Sequence, residues 1–119
     1  MKTFLAALLL LAPLAAHADC SVNDFAIQNV KVSTVGTGAF THLSVRGELV
    51  NHCANPAAAQ LRIEAKDGSG NVLASRDGWP SGTTNISPGQ SIDFDMGRML
   101  HFQTDMQSYV VSVASVRVW

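Results

Sequence analysis

Apolar and polar residues alternate one by one through most of this chain, in short runs cut by Gly, Pro, Asn and Asp. A period of two cannot form the apolar stripe of a helix, which recurs at three and four, so each run reads as a strand with one face toward a core. Leu43, Val45, Gly47 and Leu49 alternate with Ser44, Arg46 and Glu48. Phe25, Ile27, Val30 and Val32 form an earlier strand, and Leu61, Ile63 and Ala65 a later one. Asp67-Gly68-Ser69-Gly70-Asn71 is a dense turn signal, from which Val72 to Asp77 returns. Ile86-Ser87-Pro88-Gly89-Gln90 marks a tight turn before a strand carrying Ile92 and Phe94, and Tyr109 to Trp119 is the last strand. Met99, Phe102 and Met106 recur at three and four, which admits at most one short helix near 97–106. The pattern predicts an all-β fold, an immunoglobulin-like antiparallel β-sandwich of about seven strands.

The start of the chain follows a different rule. Lys2, an apolar stretch from Phe4 to Leu14 and the small-x-small triplet Ala16-His17-Ala18 read as a signal peptide over residues 1–18, leaving a single exported domain over 19–119. The apolar stretch is shorter than the roughly 20 residues that span a bilayer, so no transmembrane segment is expected in the mature chain. His17 and Asp19 before Cys20 depart from a lipoprotein signal, which argues for an unlipidated chain. Two cysteines in an oxidising compartment predict one disulfide, Cys20 to Cys53, tying the mature N-terminus to the domain body. The seven basic residues after Lys2 are scattered singly among nine acidic ones. Without a basic stripe, nucleic-acid binding is not expected.

Val45-Arg46-Gly47-Glu48-Leu49-Val50-Asn51, then Asp67, Gly70-Asn71-Val72-Leu73, the Ile86 to Gln90 turn and Phe94 together resemble the FxLYD-type domains of bacterial exported proteins. The resemblance covers about residues 45–96 and its motifs are structural turns. At the family's name motif, Ile63-Glu64-Ala65-Lys66-Asp67 keeps only the Asp. It implies a bacterial, periplasmic or secreted sandwich domain. Asp105-x-x-x-Tyr109-x-Val111 is similar to the immunoglobulin tyrosine corner, with Val111 where a cysteine would stand.

Chemistry-bearing residues are sparse. Met96, Met99, His101 and Met106 offer thioether and imidazole ligands that suit Cu(I), with His42 and His52 as additions from elsewhere, although Met is also an ordinary core filler. Asp67, Ser69 and Asn71 resemble the opening of a calcium loop, but Val72 and Gly78 stand where its Gly and Glu belong. The chain carries no G-x-S-x-G, H-E-x-x-H or phosphate-loop motif, so no enzymatic activity is expected. Trp79, in a Gly/Ser/Thr-rich loop, and Trp119 are candidate partner contacts, the alternative for Trp79 being an indole folded over a sheet edge. If Tyr109 to Trp119 carries the corner, the strand that normally follows it is missing and one sheet edge is open to a partner or a second copy. The expectation is a non-catalytic interaction or structural module of the bacterial envelope, without cofactor. The alternative is a periplasmic copper-binding protein.

Overall fold

The computed structural model describes residues 19–98 and 100–119, which form two three-stranded antiparallel sheets packed face to face. The strands are β1 (Phe25–Val35), β2 (His42–Asn51), β3 (Ala58–Lys66), β4 (Val72–Gly78), β5 (Ser91–Met96) and β6 (Ser108–Arg117). One sheet has the order β1-β2-β5, the other β4-β3-β6. This is the arrangement of the first, second and fifth strands of an immunoglobulin sandwich over its third and sixth, with β4 as an added edge.

Alternation explains the packing. Leu43, Val45 and Leu49 of β2 and Leu61, Ile63 and Ala65 of β3 are fully buried, so the two middle strands supply the centre of the core. Phe94 stands directly opposite Gly47 in the β2–β5 ladder, and a Cβ on Gly47 would lie 2.7 Å from the Phe94 ring. The ring takes the place of the side chain that Gly47 lacks.

Six strands form among the described residues where about seven are expected, and residues 79–90, read as loop and turn, close a succession of turns (Trp79 O to Gly82 N, Ser81 O to Thr84 N, Ser87 O to Gln90 N). Residues 97–106 hold no helix among the described residues. Gly97, at φ 103°, begins a turn closed by Leu100 N–H to Gly97 O at 2.8 Å, and Leu100 to Phe102 then run extended beside Thr41 to Leu43. Leu100 is buried from this extended run and Met106 from a turn closed by its N–H to Gln103 O at 3.0 Å, while Met99, the first residue of the three-and-four spacing, lies outside the described residues. The short 3-10 turns lie elsewhere, at Val22–Asp24 and Gly38–Phe40. No helix among the described residues is long and apolar enough to cross a membrane.

Cys20 and Cys53 are bonded, with Cα atoms 5.6 Å apart. The β1–β2 ladder sets this distance: Phe25 pairs with Asn51, and His52 N–H donates to Asp24 O at 2.8 Å, which brings the flanking cysteines together. Cys20 precedes β1 and Cys53 follows β2, two strands of one sheet, so the bridge does not join the two sheets in the antibody manner.

In the β3–β4 hairpin, Asp67 accepts the N–H groups of Ser69 and Asn71 on one oxygen, both at 2.9 Å, and the Asn71 amide on the other at 3.2 Å. The calcium-like residues are therefore the hydrogen-bonded turn itself. Donation from the Asn71 backbone, and then from its side chain, holds the Asp67 carboxyl below its ordinary range. The bidentate Arg62 guanidinium does the same to Asp77, at 2.8 and 3.0 Å. A carboxyl whose folded pKa lies below its unfolded value of about 3.9 stabilises the fold fully above that pH, and the benefit is lost as pH falls through the folded pKa. The thermal midpoint is therefore expected to drop below about pH 4. Asp67→Asn should flatten that acid limb, which thermal melts of both proteins between about pH 5 and 2 measure.

Candidate functional site

The side of the sandwich formed by β6 differs from the other three strand edges. Among the described residues β6 pairs with β3 alone, which leaves its second row of backbone N–H and C=O groups without a ladder partner. β1 carries Lys31 and a bulge between Gln28 and Lys31 with Asn29 at φ 55°, β4 carries Arg76 and Asp77, and the six-residue β5 carries Asp93 and Asp95. Charges and bulges of this kind discourage edge-to-edge pairing. From Ser108 to Val116, β6 has no charged residue and no proline. Its irregularity, an extra residue at Ala114, interrupts the strand only beyond Val113, so Ser108 to Val113 pair regularly with β3.

Tyr109, Val111 and Val113 pack against the core yet remain half-buried, whereas their β3 neighbours Ala65, Ile63 and Leu61 are fully buried. β3 has a strand on each side, whereas among the described residues β6 has a ladder partner on one side only, with β1 and the Val22–Asp24 turn packed near it. On the outer face of the same strand, Val110 is exposed beside Ser112.

The end of this edge is fixed by the two tryptophans that the sequence singles out. Trp119 donates its N–H to Asn85 Oδ1 at 2.9 Å and accepts from Asn85 Nδ2 at 3.3 Å, a two-point clamp. Its ring meets Trp79 edge to face with centroids 5.7 Å apart, and the Arg117 guanidinium carbon lies 4.1 Å over the Trp119 ring. Trp79 is half-buried in this contact while Trp119 stays exposed, so the corner presents an aromatic face and one cation to solvent. Sequence reasoning did not anticipate Arg117 or Asn85. Their signal is spatial, since Asn85 is distant in the chain from the residue it clamps.

The structure divides the thioether and imidazole residues. Met96 lies on the inner face, its Cε over Gly78 of the opposite sheet, and Met106 is buried in the core. His101 pairs with His42, which alternates with the buried Leu43, so both imidazoles lie on the outer face of the β1-β2-β5 sheet. Met99 lies outside the described residues. The sheet thus separates His101 from Met96 and Met106. Asp93 and Asp95 lie on the exposed face, where Asp95 pairs with Arg46 at 3.2 Å. His52 is exposed next to the disulfide-bonded Cys53.

No known family model matches this chain, and neither does any curated protein or solved structure.

Proposed function

We propose that this protein is an exported, non-catalytic interaction module of the bacterial envelope, periplasmic or secreted, resembling the FxLYD-type domains and binding a protein through its β6 side. The observation that carries the reading is the uncharged, regular β6 edge with half-buried Tyr109, Val111 and Val113 beneath it. An incoming strand would satisfy the outward backbone groups and cover these side chains, the energetic basis of strand addition. The Trp79–Trp119 corner, with Arg117 over one ring, adds an aromatic anchor beyond the end of the strand. A disulfide at the base of β1 and β2 suits an oxidising compartment.

The test is an edge-protecting variant, Val110→Lys with Ser112→Lys, which places two cations on the exposed face of β6. Such surface changes alter stability by only about 0.5 kcal/mol each. Immobilised wild-type protein is expected to retain a partner from periplasmic extract that the double variant releases. Sedimentation of the purified chain alone asks whether a second copy fills the edge. Equal retention by both proteins, or retention by neither together with a monomer at every concentration, would overturn the reading.

A further inference from the structure

Away from the β6 edge, the fold builds a close pair of imidazoles that no contiguous motif announces. Leu43 N–H donates to Leu100 O at 3.0 Å, and Phe102 N–H donates to Thr41 O at 3.2 Å. These two bonds flank His42 and His101, which therefore face each other as a non-hydrogen-bonded antiparallel pair. In that pairing the side chains stand closest, with Cβ atoms about 4.5 to 5.5 Å apart. Leu43 and Leu100 are buried, so the intervening histidines project together from the outer face, His42 half-buried and His101 exposed.

We propose that His42 and His101 form a two-imidazole chelate for a borderline divalent transition ion of the Zn2+, Ni2+ or Cu2+ class. Metal–nitrogen bonds of about 2.0 to 2.1 Å require the two nitrogens to come within roughly 3.4 Å of each other, which two rings on adjacent strand positions reach by rotation about their side-chain bonds. His42 Nδ1 lies 3.4 Å from the Phe40 carbonyl oxygen. A proton on that nitrogen points to the carbonyl and leaves Nε2 as the ligating atom, the usual backbone support of a metal-binding histidine. Imidazole nitrogen and water suit divalent ions of this class, and they differ from the thioether set that selects Cu(I). Met96 and Met106, on the other side of the sheet, contribute nothing to it. The charged residues that share a cavity with His42 are Asp95 and Arg46, which pair with each other, and the cation Arg98, which is no ligand, so the two histidines and water complete the coordination.

The experiment titrates the untagged chain, purified from cells, with Zn2+, following heat by calorimetry and each imidazole by nitrogen-detected NMR. One equivalent is expected to bind, with the resonances of His42 and His101 shifting together and those of His52 unmoved. His42→Gln and His101→Gln should each weaken binding at least tenfold, and His52→Gln should leave it unchanged. Absence of saturable binding at sub-millimolar Zn2+ would overturn the proposal, as would an equal loss in His52→Gln. Thermal melts of the three variants without metal check that each remains folded.

Discussion

A chain carrying Cys20→Ser and Cys53→Ser is expected to unfold about 15 to 25 °C below its parent. The bridge spans 33 positions, and closing a loop of that length in the unfolded chain corresponds to about 3 to 4 kcal/mol. For a domain of this size each kcal/mol moves the thermal midpoint by about 4 to 8 °C. Native contacts set the same direction. Cys53 is buried and Cys20 packs against the core, so two serines place hydroxyls where apolar sulfur now lies. The strand ladder itself survives, because Phe25 to Gln28 pair with Asn51 to Glu48 through their own backbones. Circular dichroism should therefore show the same β signature at low temperature and an earlier melt. An unchanged midpoint would mean that the Phe25–Asn51 end of the ladder already restrains residues 20 to 24 without the bond.

The six strands of the described residues were legible for different reasons: β1, β2, β3 and β5 because apolar and polar residues alternate along them, β4 as the return from the Asp67 to Asn71 turn, and β6 as a long β-branched run. The disulfide was legible because two cysteines permit one pairing. What escaped was whatever depends on how distant segments meet. The alternation of β6 says that it has an inner face, but only the sheet order shows that it pairs with β3 alone among the described residues. Met96 and His101 are close in sequence, yet the turn at Gly97 and the extended run that follows place them on opposite faces of one sheet. Conversely His42 and His101 are far apart in sequence and adjacent in the fold. Trp79 and Trp119 were singled out separately, and the Asn85 clamp is what joins them.

Replacing Asn51 by Leu is expected to cost about 3 to 4 kcal/mol, comparable to losing the disulfide. Asn51 is fully buried and every polar atom of its amide is used: Oδ1 accepts Cys53 N–H at 2.7 Å, and Nδ2 donates to Ile86 O at 2.7 Å and Asn55 O at 3.0 Å. Ile86 exchanges two backbone hydrogen bonds with Ala57, just before β3. One side chain therefore ties the end of β2 in one sheet to the start of the other. Leucine nearly matches asparagine in size but strands a buried N–H and removes a donor from two carbonyls, and each unmet buried group costs about 1 to 3 kcal/mol. The sum is less than three full penalties because the Ile86 carbonyl keeps Ala57 N–H as a donor. Asn51→Asp separates geometry from charge. It keeps the acceptor for Cys53 N–H but turns an oxygen toward two carbonyls, so burial and repulsion raise its folded pKa above the unfolded value of about 3.9. A group shifted in that direction destabilises the fold at neutral pH and recovers as it protonates, so Asn51→Asp should gain stability between about pH 7 and 5. That slope is opposite in sign to the acid limb governed by Asp67 and Asp77. Denaturant melts of both variants across this range test the assignment, and a flat profile for Asn51→Asp would show that the carboxylate reaches water instead of staying between the sheets.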